Sequence, residues 1–440
     1  MANFSKSHVP RFSAEVYQNV HLPEGGREVN AIVTVTATGG RPALVGGSGA
    51  PDAGVVIMVD CSGSMDHPPT KMRGAREATA AAIDTVRDGV RFAVVAGTHR
   101  AAEVYPGGGR LAVADPATRD RAKEALRKLS AGGGTAIGNW LRLAGALLSS
   151  ADVSIRHGIV LTDGRNEHES AEELRAALDA CAGRFTCDTR GVGTDWEVKE
   201  VTGIASALLG TADIVADPAG LTADFTQMME KAMGKEVADV SLRLWTPAGA
   251  EVVFVKQVAP TIEDLTDRRT DSGARFGDYP TGSWGDESRD YHLCVRVPDA
   301  DVGQEMLAAR VSLIILAPDG STPQTLAHGL VRAVWTDDLA AATSINPQVA
   351  HYTGQAELLR AIQEGVEAVK SGNTDDATAK YGRAVQLANA SGNEETAKLL
   401  AKVVDVVDAA TGTVRLKARV SDADEMTLET RSTKTVRVTK

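Results

Sequence analysis

Cysteine is scarce in this sequence, with only 4 residues among 440. Cys61, Cys181, Cys187 and Cys294 form no CxxC pair, and no histidine accompanies them at the spacing that zinc sites use. The small number also argues against a disulfide framework, which is typical of short secreted domains. Cys181 and Cys187 are near enough in sequence to pair, but we expect reduced thiols, as in a cytoplasmic protein.

Long apolar runs and basic clusters are also missing. No stretch approaches the roughly 20 apolar residues that a membrane-spanning helix requires, and the N-terminal MANFSKSHVPRFSAEVYQ has no apolar signal-peptide core. The formal net charge is -11 and the pI is near 5.4, whereas nucleic acids and anionic membranes are bound through basic surfaces. We therefore expect a cytoplasmic protein with no nucleic-acid partner and no membrane span.

The apolar pattern divides the chain into several domains. A length of 440 residues exceeds one ordinary domain. Residues 10–45 contain strand-like runs, the second of which alternates apolar residues with threonines from Ala31 to Ala37. Residues 236–340 contain several short strand-like runs typical of a β-sandwich. Because two strands alone cannot bury a face, we expect the N-terminal strands to join that sandwich.

Residues 53–233 follow a different pattern, in which apolar runs such as VVIMV, RFAVVA and HGIVLT alternate with amphipathic segments. Helix-start signals lie between the runs: Asp115 precedes Pro116, and Ser170 forms a capping box with Glu173. Such alternation indicates a doubly wound, Rossmann-like parallel sheet with helices on both faces. The predicted fold class is therefore multidomain, α/β plus all-β plus α, with the α/β domain inserted in the β-sandwich.

The C-terminal part predicts a small helical bundle followed by a tail. Residues 347–410 show three helical patterns, and the third comprises Leu399, Leu400, Val403, Val404 and Val407. Two connectors, SGNTDD and SGNEE, supply glycine and capping residues between the helices. Residues 411–440 are polar and rich in threonine, and we expect them to be flexible at least in part.

Oxygen-bearing side chains follow two of the apolar strands directly. DCSGS places Asp60, Ser62 and Ser64 at the end of VVIMV, and LTDG places Asp163 at the end of HGIVLT. Thr135 follows three glycines in SAGGGTAIG, where the backbone can approach a ligand closely. In the strand order 3-2-1-4-5 the first and fourth strands are neighbours, so both aspartates are expected at the same carboxyl edge.

Oxygen ligands favour a hard divalent cation such as Mg²⁺, Mn²⁺ or Ca²⁺ over zinc or copper. The motifs resemble the metal-ion-dependent adhesion site of von Willebrand factor type A domains, here of the intracellular bacterial type. DCSGS matches the D-x-S-x-S signature of that site, Thr135 and Asp163 match its other two elements, and no position departs from the pattern. TRGVGTDW, residues 189–196, is similar to the fifth-strand region of the family. The resemblance covers residues 53–233 and implies a complete site.

The resemblance also implies roles for the residues of the site. Ser62 and Ser64 coordinate the cation directly, Thr135 does so directly or through water, and Asp60 and Asp163 act largely through bound waters. One coordination position is left for an aspartate or glutamate of a partner protein. Mg²⁺ is the cation we expect first, because it keeps waters that such a carboxylate can replace. The function implied is a cation-dependent protein-binding scaffold.

Two simpler interpretations compete for parts of these motifs. DCSGS alone is compatible with a strand-to-helix turn in which a serine caps the helix. The glycines at 132–134 suggest a phosphate loop, but no Gly-Lys-Ser/Thr follows them. The agreement of DCSGS with Thr135 and Asp163 favours the metal site over both.

A metal-dependent hydrolase or phosphatase that uses the cleft between Asp60 and Asp163 is the alternative function. Aspartyl-phosphate phosphatases also place a nucleophilic aspartate after an apolar strand. They carry a second aspartate two residues later, where this chain has Ser62, and DCSGSM is not a G-x-S-x-G elbow. His157 and His168 flank Asp163 in sequence, but a lone histidine is usually a packing or surface residue. We expect binding and no catalysis.

The tail suggests a separate partner. LETRSTKTVR contains Thr430, Thr433 and Thr435 among basic residues. Phosphorylation of these threonines would create a docking site for a phosphothreonine reader such as a forkhead-associated domain. A plain solvated tail is the simpler alternative.

Overall fold

A computed structural model describes residues 10–39, 52–315 and 322–437. They form two compact units, one of which extends to Ala238 and also includes Gly282–Gly285. The other unit begins with the N-terminal strands β1 (Arg11–Gln18), β2 (His21–Leu22) and β3 (Glu28–Thr38) and resumes after the first unit. The first unit is therefore inserted in the second, as the sequence predicts.

The inserted unit alternates strands and helices. Its strands are β4 (Ala53–Asp60), β5 (Arg91–Gly97), β6 (Ala101–Tyr105), β7 (Ala112–Val113), β8 (Ile155–Thr162), β9 (Thr186–Val192) and β10 (Ala212–Val215). Its helices are α1 (Thr70–Thr85), α2 (Pro116–Leu126), α3 (Ile137–Ser150), α4 (Ala171–Cys181), α5 (Val198–Ala207) and α6 (Leu221–Met233). Asp115 caps α2, and Ser170 forms a capping box with Glu173 at α4, which confirms both helix-start predictions.

The sheet of this unit has the order β10-β9-β8-β4-β5-β6, with β7 beside β5. β4 lies between β5 and β8 and is parallel to both, which confirms that VVIMV and HGIVLT form neighbouring strands. β6 runs antiparallel to β5, because only residues 98–100 separate the two strands and a parallel connection needs a dozen or more.

Hydrophobic clusters cover both faces of this sheet. Val55, Ile57 and Val59 of β4 join a cluster with α1, α2 and α6, whereas Val56 and Met58 join a second cluster with α3 and α4. Successive strand residues point to opposite faces, so a central strand covered twice has no position for a polar side chain. This burial explains why VVIMV is apolar throughout.

The second unit contains most of the β-sandwich. Its further strands are β11 (Lys235–Trp245), β12 (Glu251–Ala259), β13 (Glu263–Asp264), β14 (Thr270–Gly273), β15 (Phe276–Gly285), β16 (Glu287–Arg296), β17 (Glu305–Ile315) and β18 (Gln324–Trp335). One sheet has the order β1-β3-β16-β12-β13 and the other β14-β15-β11-β17-β18-β2, so the N-terminal strands join the sandwich as predicted. Sequence analysis misses β15, because its residues FGDYPTGSWG include glycines and a proline that indicate a loop.

The C-terminal part contains helices and a short hairpin. Its elements are α7 (Leu339–Thr343), α8 (Pro347–Lys370), α9 (Thr374–Ala390), α10 (Glu394–Val403), β19 (Val404–Asp408), β20 (Thr413–Leu416) and α11 (Asp422–Arg431). The third predicted helix is too long, because Val404 and Val407 belong to β19. β-Branched valines favour a strand, and β20 supplies the partner across a turn in which Gly412 has a φ of 69°.

The predicted tail also begins too early. Val414 and Leu428 are buried in the same hydrophobic cluster as Leu358 and Tyr381 of the helices, so the segment after residue 411 is part of the folded C-terminal part. Polar composition hides this, because only a few apolar residues of the segment enter the cluster. Within the described ranges, no helix combines the length and the apolarity needed to cross a membrane.

Candidate metal centre

Hydroxyl groups and a carboxylate meet beyond the carboxyl ends of β4 and β8. Ser62 Oγ lies 2.9 Å from Ser64 Oγ, and Ser64 donates a hydrogen bond of 2.7 Å to Oδ1 of Asp163. Gly164 borders the same hydroxyls. A β-carbon on this glycine would lie 3.1 Å from Ser64 Oγ, 3.5 Å from Thr135 Oγ1 and 3.8 Å from Ser62 Oγ. The structure therefore brings these four predicted side chains together.

Asp60, the fifth predicted residue, is fully buried at the end of β4. Its Oδ1 accepts a hydrogen bond of 2.8 Å from the backbone N–H of Ser62, and its Oδ2 accepts one of 2.6 Å from the hydroxyl of Thr162. Burial raises the pKa of Asp60 to about 6, although the hydrogen bonds from Ser62 and Thr162 oppose this and the charge of Asp163 adds to it. A nearby cation would favour the charged form of Asp60.

Two loops are joined by their backbones at this edge. The N–H of Gly63 donates to the carbonyl of Gly133 at 2.9 Å, and the N–H of Gly132 donates to the carbonyl of Cys61 at 2.8 Å. The DCSGS loop is thereby paired with the loop that carries Thr135, although about 70 residues separate them in the chain.

Glycines ahead of Thr135 make room for two imidazole rings. A β-carbon on Gly134 would lie 2.2 Å from the ring of His168, and one on Gly133 would lie 2.9 Å from Nδ1 of His99. His168 Nδ1 accepts a hydrogen bond of 3.3 Å from the N–H of Thr135. His99 Nδ1 accepts one of 3.4 Å from the N–H of Gly134. The structure therefore gives these glycines a further reason to lack a side chain, since two histidine rings pack against them.

Lys71 is a residue of the site that sequence analysis misses. Its Nζ lies 2.7 Å from Oδ2 of Asp163 and 2.9 Å from Oδ2 of Asp195, and its side chain is 10% exposed. Burial lowers the pKa of Lys71, but the hydrogen bonds that its ammonium donates to the two carboxylates, and their negative charge, outweigh this effect, so the net pKa is raised. A signal was present: Lys71 is four residues before Ala75 and seven before Ala78, on the buried stripe of α1. Lysine is rarely buried without a partner.

The donor set fits a hard divalent cation. Serine and threonine hydroxyls and carboxylates are oxygen ligands of the kind that Mg²⁺, Mn²⁺ and Ca²⁺ accept. Within the part of the chain that the structure describes, no group of three or more histidine, cysteine, aspartate or glutamate side chains is placed to hold a metal. A cation at this edge would therefore be held mainly by hydroxyl groups.

Comparisons with known proteins identify the family. Residues 53–214 match the von Willebrand factor type A domain, and residues 386–432 match the von Willebrand factor type A C-terminal domain. A solved structure, von Willebrand factor type A from Catenulispora acidiphila, is 51% identical, covers 99% of both chains and has a TM-score of 0.92. The chain belongs to the von Willebrand factor type A family.

A more distant structure shares the fold of this von Willebrand factor type A protein. The ArnB paralog VWA2 from Sulfolobus acidocaldarius is 14% identical, covers 96% of this chain and 98% of its own, and has a TM-score of 0.60. At this identity the likeness concerns the fold alone. No curated protein matches the chain in sequence.

Histidine placement in this von Willebrand factor type A protein gives no support to the hydrolase alternative. His157 lies near the start of β8, about 16 Å along the strand from its carboxyl end. It lies 2.9 Å from Thr186 Oγ1 and 3.0 Å from Asp188 Oδ2. The second histidine, His168, accepts a hydrogen bond from the backbone N–H of Thr135. Neither of these contacts involves a serine hydroxyl of the site.

The tail threonines lie on folded structure in this family member. Thr430 is 1% exposed and belongs to α11. The backbone carbonyl of Thr433 accepts a hydrogen bond of 2.8 Å from Ile262, and the hydroxyl of Thr435 donates one of 2.5 Å to the carbonyl of Val258. A reader that binds a phosphate on these threonines would need this segment to detach. Recognition of that kind stays a prediction.

Proposed function

We propose that this protein is a divalent-cation-dependent scaffold that captures an acidic side chain of a partner protein. The cation site consists of Asp60, Ser62, Ser64, Thr135 and Asp163. The observation that supports it is the convergence of the three hydroxyls with Asp163 beyond two neighbouring strands. Mg²⁺ is the first candidate, with Mn²⁺ and Ca²⁺ as alternatives.

Charge balance explains why such a site takes a further carboxylate. Hydroxyl ligands are neutral, and Asp60 and Asp163 would act largely through bound waters, so a bound cation would have few direct carboxylate ligands and would attract a further one. Ser64 is oriented by its hydrogen bond to Asp163, and the DCSGS loop is held by the bond from the Ser62 N–H to Asp60. These contacts preorganise the hydroxyls on rigid strand ends, so an aspartate or glutamate of a partner meets a preformed site.

We further propose that the site binds without catalysis and that the protein is cytoplasmic. The first proposal is supported by the hydrogen bonds of the serine hydroxyls, which in the described part of the chain join these hydroxyls to each other and to Asp163 and not to a histidine that could act as a general base. Free thiols support the second: Cys61, Cys181, Cys187 and Cys294 are all buried and unpaired within the described residues.

A relaxation measurement with Mn²⁺ tests the proposed site. Capped aspartate should displace a water from protein-bound Mn²⁺ and lower the water-proton relaxation enhancement, whereas capped asparagine should not. Asp60→Ala should abolish the enhancement, and the control Asp179→Ala, an exposed residue of α4, should leave it unchanged. Equal responses to capped aspartate and capped asparagine would contradict the proposal.

Affinity capture from the native host tests the scaffold itself. Wild-type protein should retain a partner in Mg²⁺ and release it in EDTA, and Asp60→Ala should retain none. Circular dichroism of the variant checks that its fold survives. A partner that stays bound in EDTA would show that capture does not depend on the cation.

A further inference from the structure

Lys71 bridges a buried and an exposed carboxylate at the edge of the cation site. Its Nζ lies 2.7 Å from Asp163 Oδ2 and 2.9 Å from Asp195 Oδ2. The Asp163 side chain is 0% exposed, the Lys71 side chain 10% and the Asp195 side chain 65%. The ammonium therefore connects a residue of the site to the surface of the same unit.

The two oxygens of Asp163 have different partners. Oδ1 accepts the hydrogen bond from Ser64 and belongs to the hydroxyl cluster, whereas Oδ2 pairs with Lys71. A cation held by the hydroxyls and Lys71 would thus attract opposite oxygens of one carboxylate. Because both are positive, each weakens the binding of the other through direct repulsion and through competition for the charge of Asp163.

We propose that Lys71 is a built-in counter-charge that sets the affinity of the site for its cation. It compensates the buried Asp163 while no cation is bound, and it lowers cation affinity through its own charge. Asp195 is the second partner of Lys71. It keeps the ammonium paired when a bound cation interacts with the charge of Asp163. This inference rests on the cation site of the proposed function and adds the residue that regulates its affinity.

Titration of Mn²⁺, followed by the electron paramagnetic resonance signal of the free ion, tests this role. Lys71→Met keeps the length of the side chain and removes the charge, so it should bind Mn²⁺ about tenfold more tightly or better. Lys71→Arg keeps the charge and should stay within about threefold of wild type. The control Lys128→Met removes an exposed lysine of the same unit and should change little.

Asp195→Asn tests the second partner of Lys71, and it should change the affinity for Mn²⁺ in the direction opposite to Lys71→Met. Without Asp195 the ammonium pairs with Asp163 alone, so Mn²⁺ affinity should fall about threefold or more. In the Lys71→Met background the same change should have little effect, because the exposed charge at position 195 is screened and no longer acts through the lysine. An equal effect in both backgrounds would contradict the proposed partnership.

Thermal unfolding gives an independent readout. Without Mn²⁺, Lys71→Met should melt below wild type, since Asp163 is left buried and uncompensated, and Mn²⁺ should raise its melting temperature by more than that of wild type. If Lys71→Met does not fold, Asp195→Asn tests the role of Lys71 instead. The Asp195 side chain is exposed, so the variant should fold, and the proposal requires its affinity for Mn²⁺ to be lower than that of wild type.

The outcomes separate this inference from the proposed function. Wild-type binding of Mn²⁺ with no tighter binding by Lys71→Met overturns the role of Lys71 and leaves the cation site intact. If Lys71→Met binds Mn²⁺ while wild type binds it too weakly to detect, the result supports both the cation site and the role of Lys71. Absence of binding in every folded variant overturns both.

Discussion

The hydroxyl of Thr162, the last residue of β8, donates a hydrogen bond of 2.6 Å to Oδ2 of Asp60, the last residue of β4. Since β4 and β8 are adjacent and parallel, this bond joins the two strands at the edge where the hydroxyls of the site gather. It also supplies a donor to a carboxylate that is fully buried. Thr162 therefore joins the sheet edge to the residues of the proposed cation site.

Replacement of Thr162 by valine should destabilise the protein and weaken cation binding. The variant keeps the shape of the side chain but leaves Asp60 without one of its donors. Loss of a hydrogen bond to a charged group costs about 1.5–3 kcal/mol, which urea denaturation would measure. Thr202→Val is the control, because the Thr202 hydroxyl donates to carbonyls of its own helix, those of residues three and four positions earlier in the chain. Equal losses in both variants would contradict the link to Asp60.

Replacement of Gly164 by alanine should reduce cation affinity about tenfold or more. The added β-carbon would lie 3.1 Å from Ser64 Oγ, so that hydroxyl must shift and its contacts with Ser62 and Asp163 would be disturbed. The free energy of unfolding should change by about 1 kcal/mol or less, because only one side chain shifts. Gly203→Ala in α5 is the matched control, since nothing lies within 4 Å of its β-carbon, and calorimetric titration should find its affinity unchanged.

The second unit should lose stability as the pH falls, partly through His292. Burial lowers the pKa of His292 to about 4, and the charge of Lys256 adds to this. The unfolded chain then takes up a proton near pH 6.5, before the folded one does. The stability from neutral His292 is therefore complete above pH 6.5 and is lost between pH 6.5 and 4, by up to about 3 kcal/mol.

Denaturation at several pH values checks the contribution of His292. His292→Gln should flatten the decline between pH 6.5 and 4, while His328→Gln, an exposed histidine of the same unit, should leave it unchanged. Identical pH profiles for His292→Gln and wild type would show that another group is responsible.

A negative charge at position 435 should detach the C-terminal segment. The Thr435 hydroxyl donates to the carbonyl of Val258, so the carboxylate of Thr435→Glu would replace a donor with an acceptor beside that oxygen. Backbone amides of residues 433–435 should then exchange hydrogen faster, by about tenfold or more, and mass spectrometry would measure this. Thr325→Glu, exposed in β18, is the control. Unchanged exchange would show that a phosphate and the docked segment are compatible.

Local patterns predicted much of this fold. Apolar runs, capping residues and period-two alternation depend on neighbours within a few positions, so the α/β unit, its insertion and most sandwich strands followed from them. β15 was missed because its glycines and proline are typical of loops. The third C-terminal helix was drawn too long because apolar residues at helical spacing also occur in VVDVV, which pairs as β19 with β20.

Partners that lie far apart in the chain had no such signal. Thr162 faces Asp60, Gly134 faces His168, and α11 packs through Leu428, but each relationship exists only once the strands and helices are assembled. Lys71 came nearest to being predictable, since it lies on the apolar stripe of α1. Its partners, Asp163 and Asp195, are more than 90 residues away in the chain.

The sequence by itself determined the oxygen-rich residue set and the strands that carry it, because strand periodicity and the DCSGS, GGGT and LTDG motifs are local properties of the chain. The tertiary structure decided what those residues touch. Parallel pairing of β4 with β8 brings Asp60 to Thr162, and the packing of α1 brings the ammonium of Lys71 to Asp163. Charge compensation acts through space over a few ångströms, so it depends on the assembled fold and not on distance along the chain.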